Sequence, residues 1–283
     1  MTKTTAPTFD RLLDPAEAKR QLIAAGEKRT SARRNFLKNV GLASAGLAAG
    51  VVIQGCSDDS RSHAQGIPET DVLNFALNLE YLEAEFYSKT VNGVYLDAST
   101  LGSASMATGG AQVTFTDAAT KAIAAEIAMD EALHVKFLRS ALGGVAVAEP
   151  VINLDALGVI NTQPLFLLAS RALEDTGVSA YAGAATLLTG NNLQAAAQIL
   201  GTEAYHAGNI RLNVVQQNVP GLFKLDAQDV LPDMTHYFPV DSNALAIKRT
   251  PSQVLAIVYG SATPGTSKGG FYPNGLNGNI KTV

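Results

Sequence analysis

Apolar side chains recur at helical spacing along most of the chain after residue 68. This three-and-four spacing, bounded by capping residues, Gly and Pro, predicts four long helices and one short helix. The predicted helices cover residues 70–91, 117–142, 164–189, 192–217 and 250–259. The intervening residues 92–115 are rich in Gly, Ser and Thr and predict a long loop. The pattern therefore predicts an all-α protein.

The lengths of the connections predict how the long helices are arranged. A tight break at residues 190–192 makes the third and fourth helices antiparallel neighbours. The second and third helices are separated by about 20 residues, which can cross the full length of a bundle when extended. We therefore predict a four-helix bundle with one long crossover over residues 67–218. Residues 219–283 are predicted to form a short helical and loop extension that packs on the bundle.

Composition excludes several classes of protein. The chain has 283 residues, of which 47% are hydrophobic and 16% are charged, so it is not mostly disordered. Its net charge of −4 gives no support for binding nucleic acid. The single cysteine excludes an intramolecular disulfide.

Residues 1–66 have the pattern of an export signal and linker. The pair Arg33-Arg34 is followed by Phe36, Lys38 and a weakly hydrophobic stretch that is too short for a stable membrane helix. This segment resembles a twin-arginine export signal, which implies a periplasmic or extracellular location and folding before export. The alternative is a basic linker followed by a core helix.

Two processing sites stay open. Residues 53–56 resemble a lipoprotein box in which Cys56 would become a lipidated N-terminus, although Gln54 departs from that pattern. Residues 62–64 offer a small-x-small cleavage site instead. Contact with a membrane is expected only through such a lipid anchor. Loss of the basic N-terminal segment would leave a more acidic mature protein, which anionic surfaces repel.

Two Glu-x-x-His pairs place candidate chemistry on two different helices. Glu131 and His134 lie on the second predicted helix, and Glu203 and His206 lie on the fourth. Residues three apart leave the same face of a helix. One such pair is common on surface helices, but here two of the four histidines in the chain have it. The repeated pair therefore indicates a shared site.

The first and third helices carry a matching pattern. Glu80 lies within an apolar face and is followed two turns later by Tyr87, and Glu174 is followed in the same way by Tyr181. All four glutamates lie near the middle of their helices, so in an antiparallel bundle they would meet at one level. Four buried carboxylates need protons or cations, because each bare buried charge costs several kcal/mol. Two divalent cations would neutralise them, and oxygen and imidazole ligands suit iron or manganese, with zinc as a competitor.

This arrangement resembles the ferritin-like di-iron and di-manganese carboxylate superfamily, in which two helices supply a Glu and two supply Glu-x-x-His. More narrowly, residues 74–87 (NFALNLEYLEAEFY), 250–253 (TPSQ) and 269–275 (GGFYPNG) resemble secreted ferritin-like proteins grouped with desiccation-related proteins. The resemblance spans residues 67–283. It implies that the metal ligands are Glu80, Glu131, His134, Glu174, Glu203 and His206.

Polar residues next to the predicted ligands each have two possible roles. Glu83 is either an additional ligand or part of a flanking salt bridge. Tyr87 and Tyr181 either donate hydrogen bonds to the bridging carboxylates or pack in the core. Glu85 and Glu126 are predicted to point away from the ligand faces into solvent, and Asp130 is predicted to face away from the site.

Two functions are compatible with this pattern. An oxidoreductase would use the metal pair on O2 or peroxide, as a ferroxidase, a peroxidase or a catalase. A non-catalytic desiccation- or stress-related protein would instead keep a structural or vestigial metal site. The sequence is compatible with a homo-oligomer and does not identify the metal or the substrate.

Overall fold

The structure is a computed structural model that describes residues 66–283, so the predictions on Arg33, Arg34 and Cys56 lie outside the described residues. Its elements are, in chain order, α1 (Glu69–Tyr87), α2 (Ala98–Leu101), β1 (Ala107–Thr108), α3 (Ala118–Leu142), β2 (Ile152–Asn153), α4 (Gln163–Ala184), α5 (Gly190–Gln216) and α6 (Pro251–Val258). The predicted all-α class is confirmed, with α1, α3, α4 and α5 as the long helices. Between residues 66 and 283, no helix is both long enough and apolar enough to cross a membrane.

Capping residues explain most helix boundaries. Asp117 caps α3 by accepting a hydrogen bond from the Thr120 backbone N–H, as its position predicts. A wider π-helical turn over Ser88–Asn92 extends α1 to the predicted end. Helix α4 ends earlier than predicted, because the chain turns after Ala184 and buries Leu188 in the core before α5 begins.

The helices pack mainly as two pairs, α1 with α3 and α4 with α5. The short connection makes α4 and α5 antiparallel neighbours, as predicted. The crossover from α3 to α4 contains β2, which pairs in parallel with β1. Residues 92–115 are mostly irregular, in agreement with the predicted loop, but α2 and β1 form within them. Elements this short have no periodic signal in a Gly-, Ser- and Thr-rich segment.

The C-terminal extension and the loops cover α1 and α4 on their outer sides. Tyr272 donates a hydrogen bond to the Asn78 carbonyl at 2.8 Å, and Arg249 donates one to the Ser179 hydroxyl at 2.8 Å. Helix α1 is buried all the way from residue 72 to residue 87. Helices α3 and α5 instead alternate buried and exposed positions, so each keeps a face in solvent.

Candidate metal centre

All six predicted ligand side chains converge in the middle of the bundle. They come from α1 (Glu80), α3 (Glu131 and His134), α4 (Glu174) and α5 (Glu203 and His206). The four glutamates are completely buried, and the two histidine side chains are 12% and 7% exposed. The repeated sequence pattern thus corresponds to one interior cluster.

The ligand atoms form two groups that share Glu131. The first group joins Glu80, Glu131, His134 and Glu203, and the second joins Glu131, Glu174 and His206. Within each group, the ligand atoms lie within 4.8 Å of one another. A carboxylate common to both groups has the position of a bridge between two cations.

The imidazoles face the carboxylates through their Nδ1 atoms. His134 Nδ1 lies 3.2 Å from Glu80 Oε2 and 3.4 Å from Glu203 Oε1. His206 Nδ1 lies 2.9 Å from Glu131 Oε1 and 3.6 Å from Glu174 Oε2. The two ring centroids are 6.4 Å apart. Each histidine therefore completes one group of oxygens.

Several of these atoms have no hydrogen-bond partner. Among the described residues, nine buried side-chain atoms lack a partner, and five of them belong to candidate ligands: Glu131 Oε1, Glu174 Oε2, both Glu203 oxygens and His206 Nδ1. An unpaired buried polar atom costs about 1–3 kcal/mol. Converging lone pairs without donors are what a cation satisfies, so these residues fit a pair of divalent metal ions.

Without cations the cluster retains protons. Burial raises the pKa of Glu131 to about 7, although the nearby imidazoles of both histidines oppose the shift. Burial and the charge of Glu131 raise the pKa of Glu203 well above its ordinary value. Burial lowers the pKa of His206, but contacts with Glu131 and Glu174 outweigh it and raise the pKa to about 11. Metal binding must therefore displace protons from these groups.

Two tyrosines form hydrogen bonds between the first half of the sequence repeat, α1 and α3, and the second half, α4 and α5. Tyr87 donates a hydrogen bond to Glu174 Oε1, and Tyr181 donates one to Glu80 Oε1. Burial raises the pKa of both phenols well above the ordinary value, so they stay neutral donors. Each phenol therefore orients the glutamate of the other half, leaving its second oxygen to the cluster.

Glu83 lies beside the cluster and is only 4% exposed. It makes no ion pair within residues 66–283, so the flanking salt bridge is not formed there. Burial and the charges of Glu203 and Glu131 raise its pKa well above the ordinary value. Glu83 belongs to neither group of ligand atoms, and the four glutamates of those groups carry the charge that two divalent cations neutralise. Gly177 provides the space, because a Cβ there would collide with Glu203 Oε2 and lie 3.1 Å from Glu83 Oε1.

The prediction that Asp130 points away from the site is wrong. Its Oδ2 lies 3.2 Å from His206 Nε2 on the neighbouring helix α5. A carboxylate in this position accepts the Nε2–H hydrogen bond, so that when a metal ion displaces the other ring proton, the free lone pair is on Nδ1, which faces the centre. Spacing along α3 could not reveal this contact, because the partner lies on another helix. The corresponding position on α5 is Thr202, which donates to the Gln198 carbonyl of its own helix.

Glu85 is buried, contrary to the prediction of a solvated side chain. It accepts hydrogen bonds from the Leu96 N–H at 3.0 Å and from the Ser105 hydroxyl at 2.6 Å. The segment after α1 folds over this residue, which no helical period indicates. Burial also raises the pKa of the nearby Glu149 to about 8. Glu126 is exposed, as predicted.

Comparisons with known proteins agree with the fold and the cluster. Residues 68–216, more than half of the chain, match the family model for the ferritin-like domain. The chain is also similar to the protein named "Ferritin-like catalase Nec2" from Nesocodon mauritianus. The two are 26% identical over 280 aligned residues, covering 80% of this chain and 89% of that protein. Given this match and the buried Glu and His side chains of a four-helix bundle, the chain belongs to the ferritin-like domain family.

Proposed function

We propose that the chain binds two divalent metal ions, iron or manganese, between its four long helices and decomposes hydrogen peroxide there. The observation that carries the proposal is the pair of buried ligand groups joined by Glu131, in which five atoms have no hydrogen-bond partner. Similarity to a protein named as a ferritin-like catalase supports peroxide as the substrate. The balanced reaction turns two peroxide molecules into two water molecules and one O2.

The metal pair would supply the two-electron redox change, in which one peroxide molecule is reduced and another oxidised. The residues of this chain hold and orient the pair. Glu131, which belongs to both groups, would hold both ions, while the Tyr87 and Tyr181 hydroxyl groups fix the outer oxygens of Glu174 and Glu80. The carboxyl group of Glu83 lies beside the site, and burial together with the neighbouring glutamates raises its pKa.

Metal content and turnover together test this proposal. Wild-type protein should contain two metal ions per chain and should release O2 from peroxide. Glu131→Gln should lower the content to one ion or fewer and abolish turnover, because it weakens both groups. Lys136→Gln, at an exposed position of the same helix, is the matched control. Two ions without peroxide turnover would favour the structural stress-protein alternative, and oxidation of added Fe(II) alone would favour a ferroxidase.

We also propose export by the twin-arginine route to the periplasm or the cell exterior. The support is the sequence pattern around Arg33 and Arg34. Arg33→Lys combined with Arg34→Lys should retain the protein in the cytoplasm. Incorporation of labelled fatty acid that Cys56→Ser abolishes would support the lipid anchor, whereas unlabelled protein cleaved near residue 64 would exclude it.

A further inference from the structure

A large cavity lies between α4 and the C-terminal extension, which includes α6. Its volume is about 700 Å³, within the range of about 300–1,000 Å³ that is usual for small-molecule sites. None of the six candidate metal ligands lines it. The lining residues that matter here are Leu157, Phe223, Lys224, Asp226 and Ala256. We call this the α4–α6 cavity.

Most of the wall of the α4–α6 cavity is apolar. Ala, Leu, Ile, Val and Phe side chains from α4, α6 and the loops around them form it. Two of these side chains, Leu157 and Phe223, are 42% and 36% exposed. Large apolar side chains that stay in contact with water around a concave surface are typical of a binding site. An apolar ligand would remove them from water, which is favourable.

Hydrogen bonds hold residues 223–228, which form one side of the α4–α6 cavity, in a fixed position. Arg171 on α4 donates a hydrogen bond to the Phe223 carbonyl at 3.0 Å. Arg249, just before α6, donates to both carboxylate oxygens of Asp226 at 2.8 and 2.9 Å. This side of the cavity is therefore in place before a ligand binds, so that binding loses little conformational entropy of the protein.

The charges at the α4–α6 cavity favour an anionic group on the ligand. Among the described residues, Lys224 and Asp226 are the charged residues that line it. Asp226 is paired with Arg249 at 2.8 Å, whereas Lys224 is exposed and makes no ion pair within residues 66–283. An ammonium group beside an apolar wall is complementary to a carboxylate at the end of an apolar chain.

We propose that the α4–α6 cavity binds a free fatty acid, with the hydrocarbon chain against the apolar wall and the carboxylate at Lys224. The bound chain would contact α4, α6 and residues 223–228 together. Because these contacts exist only in the folded protein, the ligand should also stabilise the fold. The site shares no residue with the candidate metal ligands, so the inference goes beyond the proposed function and does not depend on it.

Calorimetric titration of the full chain with dodecanoate tests the site. The wild type should bind one molecule per chain. Decanoate, which has two methylenes fewer, should bind about fifteenfold more weakly, because each buried methylene changes the affinity by a factor of about four. Dodecylammonium has the same chain and the opposite charge, so it should bind more weakly than dodecanoate, and added salt should reduce this difference.

Two variants locate the bound molecule. Ala256→Phe fills part of the α4–α6 cavity and should weaken dodecanoate binding at least tenfold, with circular dichroism as the check on folding. Lys224→Gln, at an exposed position that leaves the fold intact, should weaken dodecanoate binding severalfold and remove its advantage over dodecylammonium. Lys121→Gln, exposed on α3, is the matched control and should bind like the wild type.

Three results would each overturn the proposal. They are no binding of dodecanoate by the wild type at millimolar concentration, equal affinity of the wild type for dodecanoate and dodecylammonium, and wild-type affinity in either Ala256→Phe or Lys224→Gln.

Discussion

At the scale of single residues, the absence of a side chain at one glycine is as important for the metal centre as the ligands themselves. Gly177 lies opposite Glu203 and Glu83, and a Cβ there would force the Glu203 carboxylate to move. Gly208 also interrupts a long helix, but no atom lies near the place of its missing Cβ. Alanine substitutions at the two glycines therefore distinguish an effect on metal binding from an effect on helix stability.

Gly177→Ala should weaken metal binding, because the added methyl group displaces the Glu203 carboxylate. Gly208→Ala should leave metal binding intact and stabilise the protein by up to about 1 kcal/mol, the helix propensity gain of Ala over Gly. Titration calorimetry with Mn²⁺ and urea unfolding of both variants measure the two effects. Equal metal affinity in Gly177→Ala and wild type would mean that Glu203 is not a ligand.

Protonation of the cluster gives a pH dependence with a defined sign. Glu131 and His206 both bind protons more tightly when folded, with pKa values of about 7 and about 11. Below the pKa values that these groups have in the unfolded chain, their protons contribute fully to the stability of the metal-free protein. This contribution is lost as the pH rises through the pKa values that the groups have in the folded protein. Metal ions replace those protons, so they should raise the melting temperature more at pH 8 than at pH 6. A larger rise at pH 6 would contradict the account.

The limits of sequence analysis are visible at this scale. Glu131 and Glu203 could be found because their histidines share a helix face, and Tyr181 because it lies two turns from Glu174. Asp130 and Glu85 could not be found, because their partners come from a neighbouring helix and from an irregular segment. Contacts between elements leave no period in the chain.

At the scale of elements, a buried network of charges joins the extension to α4 and α5. Arg171 on α4 forms ion pairs with Asp175 at 2.8 Å and with Asp229 of the extension at 2.5 Å. Arg211 on α5 pairs with the same Asp175 at 2.7 Å and donates to the Val230 carbonyl of the extension. All four charged side chains are nearly inaccessible to solvent. The network holds the extension over α4, on the side of the bundle away from the exposed faces of α3 and α5.

Arg211→Met should destabilise the protein by about 3–5 kcal/mol, because it leaves Asp175 buried with one partner fewer. Urea unfolding measures the loss, and Lys136→Met at an exposed position is the control. A loss below about 1 kcal/mol, the usual worth of an exposed pair, would show that the network is not buried in solution.

Periodicity alone was sufficient for the long helices and their order, since each presents a continuous apolar face. It was insufficient for the β1–β2 pair, whose strands have two residues each, and for the end of α4. A turn that buries Leu188 and a continued helix have the same local pattern. Packing decided between them.

At the scale of the whole molecule, the fold covers one pair of long helices and leaves the other pair exposed to solvent. Loops and the extension enclose α1 and α4, while α3 and α5 stay in contact with solvent next to His206. The candidate metal centre is thereby covered on one side and closer to solvent on the other.

The most direct test is a crystal structure of the metal-loaded protein with anomalous data at the iron and manganese edges. Our account predicts two ions about 3.5–4 Å apart, the usual spacing of a two-metal site, with Glu131 oxygens on both. His134 Nδ1 should bind one ion and His206 Nδ1 the other. A single ion, or ions bound only at the protein surface while the six side chains hold protons, would contradict it.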